Sequence, residues 1–445
     1  MRKANRRADD TLPSVEVHCH PSKLSGQTGM GRSADSRTRR LALGALGGMT
    51  ALGALGGMAA LGEGLAAVLG ARLSGFPGLT SEALAQSTQS QFAPLSSDDG
   101  GLRPQLLFEG LEHPWALAFL PGREMLITER PGRMRLMRRS ERKVEFLSFV
   151  EGLPAVHVAG QGGLLDVIAS PGFASDETLY FSLSQPTDRG ARTAIFRARL
   201  QAASLREREL IFAQKHDPSG RLHFGCRLVI GRDGMLYAGL GERYSEARRA
   251  QMLDNHFGKV IRIQPDGSIP RDNPFLGQAG ALPEIFSYGH RNPQGAALHP
   301  GSGALWMHEH GPQGGDELNI ITAGRNYGWP VITHGREYVT NFRIGEGTQR
   351  NDVQPSVHYW IPSIAPSGLC FLSANWSEKL RAQILIGSLK ERCLAALRLQ
   401  GDRVVGEQRL LTSLGARMRD VREAPDGALY VLADDQRGAL LQLLA

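Results

Sequence analysis

The chain has 445 residues, 41% hydrophobic and 21% charged, with a formal net charge of +7, proportions that fit a soluble globular protein with a sizeable core. Ten Lys/Arg stand against six Asp/Glu in residues 1–85, which leaves 41 against 38, only about +3, for the rest. With no basic block interleaved with aromatics, nucleic acid is excluded as a partner. In chain order, residues 1–36 form a polar, unpatterned extension, followed by Arg39-Arg40 and an uncharged apolar stretch over residues 41–62. Within that stretch the eight residues 42–49 recur at 51–58, and the Gly and Ala content keeps it only mildly hydrophobic. This pattern, with Ala83-Leu84-Ala85 as a cleavage site, predicts a twin-arginine-type signal over the N-terminal 1–85 and export to the periplasm. The stretch is long enough to span a bilayer, but its glycines and the cleavage site predict no stable membrane span after processing. Residues 86–103 read as a linker.

From residue 104 to 445 one phrase returns six times: a small-to-aliphatic strand, a tight turn, and a second strand led by Leu or Met. The copies open at Trp115, Leu165, Arg227, Gly295, Gly368 and Asp420, and close at Thr128, Phe181, Ala238, Met307, Ile386 and Val431. Each is half a blade that cannot bury its apolar face alone, so repetition predicts a ring. Starts roughly 50–70 residues apart suit four-stranded blades with long loops, which predicts an all-β fold, a six-bladed β-propeller of antiparallel blades. Size alone would allow two or three domains, but a propeller uses this length as one. Three cysteines follow the leader, Cys226, Cys370 and Cys393, an odd number without metal-ligand spacing; one disulfide is open to them after export, but they read first as buried free thiols.

Loops between blades converge on one end of a propeller's channel, so polar segments between the repeats are the site candidates. Gln161 lies in a glycine-rich lead-in, where backbone can approach a ligand; a plain turn explains the glycines equally well. His223 stands at a loop–strand junction as a candidate general base, against the common reading of a satisfied histidine. Arg291 and Asn292 form a dense donor pair suited to an anionic or quinonoid oxygen, or a surface turn. His308 and His310 lack zinc spacing, whereas Asp316 and Glu317 in a Gly/Pro-rich loop suit a hard cation such as calcium, or simply an acidic loop. Lys390, Arg417 and Arg419 together make a cationic socket for a multiply carboxylated ligand, though each alone reads as a solvated charge.

Taken in order, the segments at 160–166, 223–228, 287–295, 309–319, 326–330, 389–390 and 417–422 resemble the soluble quinoprotein sugar dehydrogenases. The closest resemblance is to the bacterial aldose sugar dehydrogenases that use pyrroloquinoline quinone (PQQ), over roughly residues 104–443. That family is a six-bladed propeller. The resemblance implies that His223 takes the proton from the anomeric hydroxyl while hydride passes to the quinone, and that Arg291 holds the quinone oxygen. Gln161, Asn292, Lys390, Arg417 and Arg419 would bind the cofactor's carboxylates and carbonyls. Carbonyls of Gly311 and Pro312 would hold Ca2+ on the cofactor, and Glu317 with the carbonyl of Tyr327 a second, structural Ca2+. It further implies an aldose substrate and an external electron acceptor, with monomer and homodimer both open. Two departures stand beside the base: Leu222 replaces an Asp, so the imidazole must be oriented from elsewhere, and Cys226 replaces a glycine, its side chain turned into the pocket or the blade. Two other readings are carried forward: a calcium-dependent lactonase or esterase on a related ring, and a non-catalytic binding propeller.

Overall fold

A computed structural model describes residues 101–444 except 141, 142 and 217. The extension, the signal segment, Cys19 and most of the linker lie outside the described residues. Strands dominate and assemble into six four-stranded antiparallel sheets, the blades of a propeller. Blade 1 holds β2 (Pro114–Phe119), β3 (Glu124–Glu129), β4 (Arg133–Arg139) and β5 (Val144–Phe149). Blade 2 follows with β6 (Leu164–Ala169), β7 (Thr178–Thr187), β8 (Gly190–Gln201) and β9 (Ser204–Ala213). β10 (Gly225–Ile230), β11 (Leu236–Leu240), β12 (Lys259–Ile263) and β13 (Ile285–Tyr288) make blade 3. Blade 4 comprises β14 (Pro293–Leu298), β15 (Leu305–Glu309), β16 (Asp316–Ile320) and β17 (His358–Trp360). In blade 5 lie β18 (Pro366–Phe371), β19 (Ile384–Ser388), β20 (Cys393–Gln400) and β21 (Arg403–Leu410).

Blade 6 is assembled from both ends of the described chain. β22 (Met418–Glu423), β23 (Leu429–Ala433) and β24 (Gly438–Leu444) take their outer strand from β1 (Arg103–Leu111), which pairs with β24 from Arg103–Leu444 to Leu111–Gly438. The six repeats predicted from sequence are the first two strands of each blade. Their second strands are covered on both faces: β11, β19 and β23 are buried along their whole length. Outer strands such as β9 and β21 are largely exposed and polar.

The inner strands β2, β6, β10, β14, β18 and β22 lie side by side around the axis, each against the next, and β22 returns to β2. Each inner strand carries a register shift near its start, where it pairs with the second strand. Such bulges twist the strand and re-aim side chains toward the axis. Blades approach closely where inner strands carry glycine: a Cβ on Gly368 would sit 2.1 Å from Asp420 Oδ1. Below the mouth the axis is closed by charge. Arg227, fully buried, donates to Asp166 at 3.1 Å, to Asp420 at 3.4 Å and to the Gln294 carbonyl at 3.1 Å, and lies 4.2 Å over the Trp115 ring. Cys226 packs in the apolar cluster shared by blades 1–3, so of the two orientations it takes the one into the blade. Cys226, Cys370 and Cys393 are free and buried, as expected. Among the described residues no helix is long and apolar enough to cross a membrane.

Candidate active site

The site residues obey one geometric rule. Continuing the inner hairpin's register past its end brings residues before the first strand opposite residues after the second in blades 1, 3, 4, 5 and 6. In blade 3, Gly225 pairs with Leu240, and two residues further out His223 faces Glu242. In blade 6, Met418 pairs with Ala433, and one step out Asp434 N–H donates to the Arg417 carbonyl at 2.8 Å. In blade 1 Arg130 N–H donates to His113, in blade 4 His310 N–H donates to Asn292, and in blade 5 Lys390 N–H donates to Ile364. The ring thus turns five hairpin ends into one polar mouth.

His223 is almost wholly buried and holds a left-handed backbone (φ 51°). Its N–H donates to Gln161 Oε1 at 2.9 Å, which ties blade 3 to the glycine-rich lead-in of blade 2. Nδ1 lies 3.1 Å from Glu242 Oε1, and the ring meets Tyr244 edge-on at 5.4 Å. Burial lowers the imidazole pKa below its ordinary value; the Glu242 hydrogen bond opposes this and the Arg291 charge adds to it. The histidine is therefore neutral at neutral pH. With Nδ1–H donating to the carboxylate, Nε2 is the nitrogen left to accept a proton. Glu242 is the orienting group that Leu222 cannot supply. Its signal was present in the sequence, but only through the hairpin register.

Arg291 and Asn292 lie between blades 3 and 4. Arg291 Nη1 donates to the carbonyls of His310 at 3.0 Å and Gly311 at 2.6 Å, its N–H donates to Glu309, and its guanidinium lies 5.1 Å over Trp329. Asn292 Oδ1 accepts from Gly225 N–H at 3.3 Å and Gln294 Nε2 at 3.2 Å. Among the described residues, Asn292 Nδ2, Arg291 Nε and Arg419 Nε are buried with no hydrogen-bond partner. Orphaned donors of this kind mark places where a ligand's acceptors complete the bonding.

Two adjoining cavities open here where the sequence suggested one pocket. The first, about 920 Å³, is walled by Gln161, Lys390, Arg417 and Arg419, and by Arg130 and Arg392, which sequence reasoning missed. Asp434, also missed, is buried and accepts from Arg419 at 2.7 Å, Arg417 at 3.3 Å and His113 at 3.1 Å. Burial alone would raise its pKa, but Arg419, His113 and Arg417 hold the carboxyl well below the usual carboxylate range. Both arginines therefore do lie on one side, as strand alternation predicts, and Asp434 fixes their heads. The second cavity, about 680 Å³, is bordered by Glu242, Tyr244, Gln251, Arg291, Pro312 and Trp329. His223 itself lines neither cavity; it is hydrogen-bonded to Gln161, which lines the first, and to Glu242, which borders the second.

Asp316 and Glu317, expected together on a cation, separate. Asp316 accepts from Gly311 N–H, Ser363 Oγ, Ile364 N–H and Ala365 N–H at 2.7–2.9 Å, so it clamps the loop that carries Gly311 and has no capacity left for an ion. Burial pushes its pKa up to about 6, against those bonds. Glu317 shares with Glu309 and Tyr327 a cavity of about 10 Å³, the room of one water or ion. Burial pushes the Glu317 pKa up strongly and the Glu309 charge adds to this, a strain that a cation would relieve. Among the described residues no three His, Cys, Asp or Glu side chains converge as a metal cage, so any calcium near Gly311 and Pro312 would rest on carbonyls. The histidines are structural: His308 donates to Ser367 O and His310 to Pro366 O, and burial lowers both pKa values, that of His308 to about 3.

Residues 111–442 match the family model described as Glucose / Sorbosone dehydrogenase. Aldose sugar dehydrogenase YliI of Escherichia coli (strain K12) is 43% identical over 345 residues, covering 76% of this chain and 92% of the relative. The apo-form structure of the soluble aldose sugar dehydrogenase from Escherichia coli superposes with a TM-score of 0.74 at 41% identity, covering 77% of this chain and 99% of that one. The PQQ-bound aldose sugar dehydrogenase of Streptomyces coelicolor aligns with a TM-score of 0.59 at 28% identity, covering 79% of this chain and all of that one.

Proposed function

The chain belongs to the glucose/sorbosone dehydrogenase family, and on that premise we propose that it oxidises aldose sugars at C1 to lactones as a quinoprotein, with PQQ and Ca2+ as cofactors. The observation that carries this reading is a carboxylate-oriented imidazole on a residue whose N–H is bonded to Gln161, in the wall of a cavity lined by five cations. When bound, the quinone supplies a hydride acceptor and its calcium a Lewis acid.

His223 Nε2 takes the proton of the anomeric hydroxyl as the C1 hydrogen leaves with its electron pair, and the ring C–O bond becomes that of a lactone. Glu242 fixes the tautomer and stabilises the imidazolium that forms. Arg291, held by two carbonyls, presents its remaining guanidinium N–H groups to an oxygen gaining negative charge. Lys390, Arg417 and Arg419 would hold the cofactor's carboxylates, and Gln161 and Asn292 its carbonyls. Gly311 and Pro312 would hold the cofactor's calcium, and Glu317 with the Tyr327 carbonyl a second one. The arginine pair and the cleavage pattern of the leader support a periplasmic site of action, with electrons passing to an external acceptor. A lactonase or a binding ring would have no use for this base and this socket together.

The test is reconstitution. Purified protein should reduce a dye with an aldose only when both PQQ and Ca2+ are supplied; turnover without quinone, or none across a sugar panel with it, overturns the proposal.

A further inference from the structure

We propose that Lys259 is a built-in cation: its ammonium group takes the place of a metal ion among three backbone carbonyls and thereby positions one wall of the second cavity. The positioning role rests on the quinoprotein reading above, in which the second cavity is left for the sugar once the cationic one holds the quinone. Lys259 opens β12 and stands in one row across blade 3, Gly225–Leu240–Lys259–Tyr288, two residues below the His223–Glu242 pair. Its side chain is fully buried. Nζ donates to the carbonyls of Arg249 at 3.1 Å, Ala250 at 3.0 Å and Phe257, and among the described residues none of its hydrogen-bond partners is a carboxylate. Three acceptors match the three N–H bonds of an ammonium and exceed the two of a neutral amine. Burial drives the Lys259 pKa well below the ordinary lysine value, and the Asp254 charge opposes this; the three carbonyls favour the charged form as well. Carbonyl oxygens converging from two separate segments are the ligand set of a hard cation, and here the strand's own side chain supplies the charge.

Two of those carbonyls belong to the short 3-10 turn Ala247–Gln251. The Ala250 carbonyl also accepts Gly289 N–H at 3.0 Å, so the same contact reaches the segment that leads to Arg291. From the turn, Gln251 and Asn326 exchange amide hydrogen bonds at 3.0 and 2.8 Å, and Gln251 Nε2 donates to Trp329 O at 2.7 Å. Trp329 in turn lies under the Arg291 guanidinium. Gln251, Trp329 and Arg291 all border the second cavity, whereas Lys259 borders neither cavity. It therefore acts on a sugar only through the turn it holds.

The experiment compares wild type with Lys259→Ala and Lys259→Met. Lys259→Ala should lower the melting temperature, and ammonium or potassium chloride, but not choline chloride at equal ionic strength, should recover much of the loss by filling the vacated place. Lys259→Met keeps the bulk without the charge, so it should melt low and gain nothing from either salt. With PQQ and Ca2+ supplied, Lys259→Ala should raise the aldose KM roughly tenfold, the value of one hydrogen bond lost between wall and sugar. The quinone Kd, read by tryptophan fluorescence, should stay at the wild-type value, and ammonium should bring the KM back. If neither variant folds, the wild type decides: nitrogen-15 correlation spectra of lysine-labelled protein should show one slowly exchanging side-chain ammonium signal, and its absence overturns the proposal. A Met variant that matches wild type in melt and KM, or an Ala variant indifferent to ammonium, overturns it as well. A wild type that oxidises no aldose strikes the functional reading and the positioning role with it, while the melts still decide whether Lys259 is the cation.

Discussion

At the scale of single residues, the proposed chemistry turns on two buried groups with opposite tasks. In the proposed reaction His223 accepts a proton, which requires the neutral form, and burial favours that form. Because its conjugate acid is held below the ordinary value of about 6.5, kcat/KM should stay level as pH falls through 6.5 and drop only at more acidic pH. Glu242 raises the imidazole pKa through its hydrogen bond, so Glu242→Gln should move that acid limb further down while lowering kcat roughly tenfold or more. An acid limb that moves upward in this variant would contradict the pairing. His223→Ala should cost on the order of 10²-fold or more in kcat under saturating quinone, read by single-turnover dye reduction. Leu222 and Cys226 show how far one position can mislead: neither touches the orientation of the base, because the partner arrives from the far strand of the same hairpin.

At the scale of elements, the hairpin end is the unit of site construction. The first two strands of each blade were legible because both are apolar over short runs bounded by turns. The outer strands were not, since β9 and β21 face solvent and carry little hydrophobic periodicity. His223, Arg291, Lys390, Arg417 and Arg419 were legible as residue types preceding or following those runs. Glu242, Asp434, Arg130 and Arg392 were not, because their partners are set by cross-strand register and by neighbouring blades. Asp316 was read by its charge, yet its role follows from four converging donors. Asp316→Ala should therefore lower stability by about 3 kcal/mol in denaturant titrations by leaving buried donors unmatched, and should weaken calcium retention with it. In the blade 6 hairpin, Arg417→Ala should raise the quinone Kd by roughly ten- to a hundredfold, the value of a charged hydrogen bond, and leave the thermal melt nearly unchanged.

At the scale of the whole molecule, one pairing closes the ring. β1 seals blade 6 against β24, joining residues more than three hundred positions apart, a link that local sequence patterns do not carry. Deleting residues through Leu111 should expose the edge of β24, broaden the melting transition and promote aggregation in light scattering. The buried Arg227–Asp166–Asp420 cluster then ties the inner strands of blades 2, 3 and 6 together across the axis. The most direct test of the account is a crystal structure of the protein soaked with PQQ and Ca2+. The account predicts the ligand's carboxylates against Lys390, Arg417 and Arg419, its quinone edge at Arg291 and Asn292, and His223 Nε2 facing that edge. Quinone bound elsewhere, or seated in the cationic cavity with His223 turned away from its reactive edge, would contradict it.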